Sequence, residues 1–328
     1  MMAADGVPGC AVAIVRGGRE VSCHCHGVAS VELSAPVTRE TVFKLGSISK
    51  HFIAAAALAL VRRGRLSLSD SVRDHLPEAP ESWAGMSVGH LATHTSGLPR
   101  DPANFAPFED RQYEWYVASA FALPLLAQAG ATWAYSNLGY FVLASVISRA
   151  SGMPFRAAIR HLVFDEAGLA QTSIAHAWDI VGHRASSYLR AGDALLNAGD
   201  VRSLRPSGAV LSSVSDMAQW MRVLLTGGST TLEELSSVAQ LDSGAPVRYG
   251  LGLFVDTLNG RRVVHHGGAL WCFRCQLVLM PDEQTGIVVL ANAREASARR
   301  LACVLGDHLH PDLDLVRVIG SRPDPTSG

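Results

Sequence analysis

The sequence has little charge, no basic or acidic block and no apolar stretch of membrane length. Charged residues make up 17% of its 328 positions, and the formal net charge is −1. This balance gives no sign of a nucleic-acid partner or of a disordered charged tail. The apolar run at 52–61 is well below the roughly 18 residues that a membrane span needs. These absences favour a small molecule as the partner, with no membrane contact.

Two further absences concern the compartment. The N-terminal residues 1–15 lack a basic segment followed by an apolar core and a small-residue cleavage site. No signal peptide is therefore predicted, and a cytoplasmic location is the default expectation. Six cysteines in a chain of this size do not make a disulfide framework.

The spacing of apolar residues changes twice along the chain. Residues 9–31 alternate around a turn at Gly17 and Gly18, which predicts a β-hairpin. Helical spacing dominates from about 52 to 225, and after residue 248 the period returns to two until a last helix at about 294–307. Strands at both chain ends predict one antiparallel sheet, with a helical lobe beside it.

The expected fold is therefore α/β, of the α+β type, in a single catalytic domain over 1–328. An antiparallel sheet of about five strands with flanking helices is built from both chain ends. The sheet lobe covers about 1–55 and 206–310, the mostly helical lobe covers about 56–205, and a cleft lies between them. Residues 319–328 are expected to form a loose tail.

Two of the predicted helices have recognisable ends. One runs from about 138 to 150 and is ended by Gly152. The other carries an apolar face at 217–224 and begins at Ser213 or Ser215. Core packing explains the apolar residues of both helices.

Ser47 and Lys50 stand at the head of the apolar run 52–61. Positions three apart share a helix face, so Ser47 faces Lys50 and Ser49 does not. A serine hydroxyl needs a base to become a nucleophile, and burial can lower the pKa of a lysine enough for that role. The backbone N–H of Ser47 can also hold negative charge at a helix start. The alternative is a capping Ser47 with Lys50 in solvent.

Tyr135 and Asn137 lie in the stretch WAYSNLGYF, just before a predicted helix. A phenol beside an ammonium loses its proton more easily, so Tyr135 can act as a base or relay a proton. Asn137 offers a carbonyl to Lys50 and an amide to the substrate. The alternative is that Asn137 is the N-cap and Tyr135 a packed aromatic residue.

The stretch VVHHGGALWCF at 263–273 contains a third candidate group. Strand alternation puts His266 and Gly268 on one face. Gly267 and Gly268 suggest that something, such as a substrate, approaches the backbone closely. The N–H of Ala269 can then complete an oxyanion hole, while His266 supplies a hydrogen bond or a proton. The alternative is a plain hairpin with a surface histidine.

Two clusters, CHCH at 23–26 and CFRC at 272–275, have the residue types of zinc ligands. Strand alternation sends Cys23 and Cys25 to one face and His24 and His26 to the other, so the four cannot converge on one ion. The chain also has no H-E-x-x-H motif. Neither a metal nor a cofactor is predicted.

Together, S-x-x-K at 47–50, Y-x-N at 135–137 and H-x-G at 266–268 resemble the serine β-lactamase and penicillin-binding-protein superfamily, in its class C and esterase-like branch. The motifs occur in the family's order, and the stretches LATHTSGLP and PSGAVLSSVSDMAQW are similar to the family's as well. The resemblance covers about 7–305 and implies a β-lactamase/DD-peptidase-like fold.

The resemblance also implies roles for the residues of the first two motifs. Ser47 would be acylated, Lys50 and Tyr135 would share the proton transfers, and Asn137 would hold the substrate and Lys50.

In the third motif, His266 would replace a lysine common in true lactamases, and Ala269 would join Ser47 in the oxyanion hole. A largely neutral histidine suits esters or uncharged amides better than substrates with a carboxylate. Trp271 is expected to line the acyl pocket, whereas Phe273 is expected in the core.

Some positions depart from the family's pattern. Only about seven residues precede the first strand, where family members usually have a helix. Cys272 stands where the family's turn commonly has glycine, and Ala129 where a proline often occurs. These departures concern pocket shape and stability rather than the reactive groups.

The leading hypothesis is a serine hydrolase that forms an acyl-enzyme on Ser47 and hydrolyses a small ester or amide. An acyltransferase or amide-forming biosynthetic enzyme would use the same intermediate, and the loops at 100–118 and 190–205 would decide between them by excluding water. A silent binding or scaffold protein is a third hypothesis, but its expected sign, degraded motifs, is absent.

Overall fold

The computed structural model of the protein describes residues 6–102, 108–228 and 230–320. The strands of these residues are β1 Gly9–Arg16, β2 Arg19–Ser30, β3 Ala35–Pro36, β4 Val42–Lys44, β5 Ser173–Ile174, β6 Tyr188–Ala191, β7 Ala194–Asn197, β8 Val210–Ser213, β9 Phe254–Leu258, β10 Arg261–Leu270, β11 Phe273–Met280 and β12 Thr285–Ala291. The α-helices are α1 Ser49–Arg62, α2 Val72–His75, α3 Val88–Ala92, α4 Tyr113–Ala122, α5 Asn137–Ser151, α6 Phe155–Ile159, α7 Asp165–Ala167, α8 Val214–Thr226, α9 Leu232–Leu235 and α10 Ala298–Leu309.

The main sheet is antiparallel and is built from both chain ends, as predicted. Its strand order is β3-β2-β1-β12-β11-β10-β9. The two ends meet where β1 pairs with β12, with Cys10 opposite Ala291. The sheet has seven strands rather than about five, because the two-residue β3 pairs with β2 at one edge and β9 pairs with β10 at the other.

Both faces of the central strands of this sheet are covered. Along β1, Ala11 and Ala13 join the larger core, which includes residues of α1, α5 and α8, whereas Cys10 and Val12 join a second core with residues of α10. This alternation is the period-two pattern expected of a strand. Strands that are covered on both faces have no solvent-exposed face, so their polar side chains need hydrogen-bond partners inside the protein.

A smaller sheet positions two segments of the candidate site. Its order is β4-β8-β5. The 3-10 turn Gly46–Ile48 follows β4, and the 3-10 turn Pro206–Gly208 precedes β8. Because β4 and β8 pair antiparallel, these two turns emerge side by side.

Several predicted boundaries are confirmed. Gly152 ends α5 with φ 72°, and Ser213 caps α8 by accepting a hydrogen bond from the N–H of Asp216. The strand expected from Tyr249 begins only at Phe254.

The other differences lie at the C-terminal end and in the middle of the chain. The last helix begins at Ala298 rather than near 294. Ile319 is buried in a π-helical turn, so the chain is packed up to residue 320, and the rest of the predicted tail lies outside the described residues. The middle of the chain contains β5, β6 and β7 besides its helices, and the division into two lobes stays a prediction.

The CHCH cluster lies in β2 as strand residues, whereas Cys272 of the second cluster lies in the turn before β11 and Cys275 lies in β11. Cys23 and Cys25 pack against the larger core, whereas His24 and His26 are exposed on the other face of β2. Within the described ranges, no three side chains of the metal-binding types come together. No helix in the same ranges combines the length and the hydropathy needed to cross a membrane.

Candidate active site

The first predicted pair comes together at the start of α1. The Nζ atom of Lys50 lies 3.2 Å from the Oγ atom of Ser47. Lys50 is 0% exposed, so the alternative of a lysine in solvent is wrong. Ser47 is not a cap either, because the N-cap of α1 is Ile48 and makes no side-chain hydrogen bond. The pair therefore forms a buried contact between an amine and an alcohol.

Ser49, the other serine of this turn, has a different place. Its Oγ atom accepts a hydrogen bond of 3.0 Å from the N–H of Val210, and its side chain is fully buried. Ser49 thus joins α1 to β8. Of the two serines, Ser47 is the one whose hydroxyl meets the lysine.

Lys50 has three hydrogen-bond acceptors around its Nζ atom. Besides Ser47, these are the Oδ1 atom of Asn137 at 2.8 Å and the carbonyl of Ser207 at 3.3 Å. The same nitrogen lies 4.7 Å from the ring centroid of Tyr135. Three chain segments that are far apart in sequence therefore converge on one amine.

The charge state of Lys50 is governed mainly by burial. Burial lowers its pKa well below the usual 10.5. The carboxylate of Asp101 opposes this shift, whereas Arg205 and Arg100 add to it. A lysine with a lowered pKa is more readily the neutral amine that can accept the proton of a serine.

The second motif lies at the start of α5. Ser136, rather than Asn137, is the N-cap, since its Oγ atom accepts a hydrogen bond from the N–H of Gly139. Tyr135 is 8% exposed and precedes the cap. Asn137 offers its carbonyl to Lys50 as predicted. Its amide nitrogen, however, is occupied by both carboxylate oxygens of Asp101, at 3.0 and 3.1 Å, rather than turned toward a substrate.

The glycines of the third motif allow close packing within the chain itself. Both Gly267 and Gly268 are buried in β10. A methyl group on Gly268 would overlap the carbonyl oxygen of Leu45, and one on Gly46 would lie 2.7 Å from the nitrogen of Ala269. The two glycines predicted that some group approaches the backbone of β10 closely. In the structure this group is the turn that carries Ser47. This contact brings the N–H of Ala269 next to that turn.

His266 points into the protein interior. It is 0% exposed, so the alternative of a surface histidine is wrong. Its Nδ1 atom lies 2.6 Å from the carbonyl of Gly267 and must donate, so its Nε2 atom accepts from the hydroxyl of Tyr249 at 3.0 Å. Burial, with Lys50 nearby, holds its pKa well below 6.5. With both nitrogens engaged, this neutral ring has none left for a substrate.

Trp271 stands in the turn between β10 and β11. Its backbone φ is 52°, and its Nε1 atom donates a hydrogen bond of 2.8 Å to the carbonyl of Ala198. Its ring meets that of Phe108 edge to face, with centroids 4.8 Å apart. Phe273 is buried in the larger core. Trp271 and Phe108 therefore pack against each other, and Phe108 remains 47% exposed.

Three further residues belong to this site but were missed by the sequence reasoning. Asp101 and Arg205 form an ion pair beside Asn137. His94 adopts φ 62°, accepts a hydrogen bond from the N–H of Ser136 through Nδ1, and places its ring centroid 4.3 Å from that of Tyr135. The only signal for His94 and Asp101 was their place in or directly after the family-like stretch LATHTSGLP.

The chain matches a known protein family, and the geometry of the site agrees with that match. The family model described as "Beta-lactamase" matches residues 1–306, and the chain belongs to this family. The predicted resemblance is thereby confirmed. The order of the three motifs along the chain and their convergence around Lys50 agree with it.

Curated relatives span several activities. The chain is 26% identical to Penicillin-binding protein 4* of Bacillus subtilis over 87% of the chain and 68% of that protein. It is 28% identical to the D-aminopeptidase of Gluconobacter oxydans over 93% of the chain and 60% of that protein. A β-lactamase of Providencia stuartii is 34% identical over 53% of the chain and 44% of its own length. The chain thus spans about two thirds or less of these relatives.

Solved structures confirm the predicted fold. An octameric penicillin-binding protein homologue from Pyrococcus abyssi superposes with a TM-score of 0.82 at 24% identity, over 96% of this chain and 76% of the other. A class C β-lactamase from Rhodobacter sphaeroides superposes with a TM-score of 0.78 at 25% identity, over 94% and 96%.

Proposed function

We propose that the protein is a serine hydrolase that forms a covalent acyl-enzyme on Ser47 and hydrolyses a small ester or amide. The observation that carries this proposal is the 3.2 Å contact between the Oγ atom of Ser47 and the Nζ atom of the fully buried Lys50. A buried amine with a lowered pKa is the base that a serine nucleophile requires. Membership of the Beta-lactamase family supports the same chemistry.

The residues support a balanced reaction in two halves. The oxygen of Ser47 attacks the substrate carbonyl carbon, and its proton passes to Lys50. The phenol of Tyr135, whose ring centroid lies 4.7 Å from the same amine, is the candidate relay. The backbone N–H groups of Ser47 and Ala269 hold the resulting oxyanion. Collapse breaks the bond to the alcohol or amine, which leaves with the proton. Water then attacks the acyl-serine and gives its proton to the same base. The bond between the acyl carbon and the Oγ atom of Ser47 breaks, the proton returns to Ser47, and the acid is released.

The substrate class follows from the strand side of the site. His266 is buried and neutral, so β10 presents no cation to a substrate carboxylate there. We propose esters and uncharged amides as the favoured substrates. A panel of chromogenic short-chain esters, D-amino-acid amides and a cephalosporin tests this, with a higher kcat/KM expected for the first two. Faster turnover of the cephalosporin would contradict it.

The nucleophile is tested with a fluorophosphonate probe and intact-mass analysis. The wild type should gain one adduct on the Ser47 peptide, and Ser47→Ala should gain none. Ser49→Ala is the matched control, because Ser49 lies two positions away but bonds the N–H of Val210, and it should still label. Equal labelling of wild type and Ser47→Ala would overturn the assignment.

An acyltransferase is the second candidate, favoured by one observation. The rings of Trp271 and Phe108 pack edge to face, and Trp271 stands two positions after Ala269 in the sequence. Aromatic rings beside an acyl-enzyme would help to exclude water from it. Adding alcohols or amines to an ester assay separates the two functions. The fraction of acyl groups transferred to the added alcohol or amine is compared with the molar fraction of that acceptor in water. A transferred fraction well above the molar fraction favours the transferase, and an equal fraction favours the hydrolase.

A further inference from the structure

A carboxylate lies directly behind the asparagine of the second motif. The Nδ2 atom of Asn137 donates to both oxygens of Asp101, at 3.0 and 3.1 Å. Asp101 also forms an ion pair with Arg205, whose side chain is 11% exposed. The Nε atom of Arg100 lies 3.5 Å from the Oδ2 atom of Asp101. Asp101 is 36 positions before Asn137, and Arg205 is 104 positions after Asp101.

The contacts of Asn137 fix which way its amide points. The two ends of an asparagine amide have nearly the same shape, so only the neighbours decide its orientation. An ionised Asp101 can only accept hydrogen bonds, which holds the NH₂ group toward it. The carbonyl is then turned to Lys50, whose Nζ–H group donates to it.

We infer that Asp101 and Arg205 are a positioning pair for the reaction proposed above. Asp101 orients Asn137 and places a negative charge near the lysine, while Arg205 holds Asp101 and balances that charge. Neither residue touches the reacting atoms, so both act through Asn137 and Lys50. The inference rests on the proposed function only for its effect on turnover, since the geometry and the lysine's charge state are properties of the protein itself.

The charges around Lys50 give the pair a directional signature. The groups that face it are Asp101, Arg100 and Arg205, with the rings of His94, His266, Tyr135 and Tyr140. Asp101 is the one carboxylate among those named. It stabilises the ammonium, so removing its charge should lower the pKa of Lys50. Arg205 disfavours the ammonium, so removing its charge should raise that pKa.

The chain contains only two lysines, Lys44 and Lys50, which makes the test direct. In protein labelled with ¹³Cε-lysine, two side-chain signals appear, and Lys44→Arg assigns them. The pH titration of the Lys50 signal is then measured by NMR in the wild type, Asp101→Asn, Arg205→Gln and Arg205→Lys. Arg149→Gln is the control, since Arg149 forms an exposed ion pair with Glu78.

The pKa of Lys50 should fall by about one unit in Asp101→Asn and rise by about one unit in Arg205→Gln. It should stay unchanged in Arg205→Lys, which keeps the charge, and in Arg149→Gln. If Asp101 and Arg205 merely supported the fold, their variants would not shift the pKa of Lys50 in opposite directions. Shifts of the same sign, or none in folded Asp101→Asn, would overturn the inference. Near-UV circular dichroism identifies the folded variants.

Turnover gives the second readout. The acid limb of kcat/KM for an ester should move with the Lys50 titration in each variant, and kcat of Asp101→Asn should fall about tenfold or more because Asn137 is no longer held in one orientation. A wild type that fails to label at Ser47 would refute the proposed function while the NMR titration still decides the pair. An unchanged kcat in Asp101→Asn would refute the orienting role.

Discussion

The helix side and the strand side of the candidate site contribute different kinds of group. On the helix side, Ser47 and Lys50 meet through their side chains. On the strand side, the ring of His266 turns inward to Tyr249 and Gly267, and the group next to the serine turn is the backbone of Ala269. A helix start thus brings side chains from nearby positions together, whereas the strand brings a backbone N–H next to the serine turn by tight packing.

The largest effect should come from removing the base on the helix side. Lys50→Gln keeps a hydrogen-bond donor for Asn137 and the carbonyl of Ser207 but cannot take a proton from Ser47. We expect kcat for an ester to fall about 10²–10⁴-fold. Lys44→Gln is the control, because this second buried lysine pairs with Asp200 outside the site and should retain most activity. A loss below tenfold in Lys50→Gln would mean that another group is the base.

The strand side should respond most to a change of backbone position. In Gly268→Ala, the added methyl group overlaps the carbonyl oxygen of Leu45 and pushes β10 away from the serine turn. Loss of one oxyanion donor costs about 10²–10³-fold in kcat, and we expect a loss of that size. Gly85→Ala is the control, since a methyl group there meets no atom within 4 Å. If the activity of folded Gly268→Ala equals that of the wild type, the N–H of Ala269 is not part of the site.

Local features of the sequence predicted the helix side well. The three-residue spacing of Ser47 and Lys50, the hairpin at Gly17 and the helix end at Gly152 depend on neighbours in the chain, and the structure shows all three. The ordered motifs predicted the family because they span most of the chain.

Contacts between distant segments could not be predicted. Strand alternation placed His266 and Gly268 on one face of β10, but it did not show whether that face is exposed to solvent. Both His266 and the neighbouring His265 are buried, because β10 is covered on both sides. The partner of Asn137 lies on a loop 36 residues earlier. No periodicity encodes that pairing, since it depends on how the loop at Asp101 packs against α5.

Tyr249→Phe sharpens the comparison by testing the side chain of the strand-side histidine. It leaves the Nε2 atom of the buried His266 without its donor, which should destabilise the protein by about 1–3 kcal/mol. We expect kcat to change by less than about tenfold, because both ring nitrogens of His266 are bonded within the protein. Urea unfolding and ester kinetics measure the two effects.

Tyr188→Phe is the matched control for this variant. It removes a buried hydroxyl, bonded to the N–H of Val31, that lies outside the candidate site. It should destabilise the protein without changing kcat. A loss of kcat above about 100-fold in Tyr249→Phe, in a protein of normal stability, would place His266 in the chemistry.

Burial beside Lys50 also makes stability depend on pH. His51 lies beside Lys50 on α1, accepts a hydrogen bond of 2.7 Å from Trp220, and has its pKa lowered by burial to about 3. An unfolded histidine has a pKa of about 6.5, so unfolding takes up a proton between these two values. The free energy of unfolding therefore rises with pH between these two pKa values. As pH falls below about 6.5, one such histidine lowers the free energy of unfolding by about 1.4 kcal/mol per pH unit.

His51→Gln should reduce that slope by about 1.4 kcal/mol per pH unit between about pH 4 and 6, as measured by urea unfolding. His94 and His266, whose pKa values burial also lowers, should maintain the remaining slope. His24→Gln makes the same replacement at an exposed position on β2 and is the matched control. If His51→Gln has the same slope of the free energy of unfolding against pH as the wild type, His51 is accessible to protons in the folded state. The interior beside Lys50 is then more hydrated than the interior around His266. A wetter interior would in turn weaken the cause assigned to the lowered pKa of Lys50, because that shift depends on the same burial.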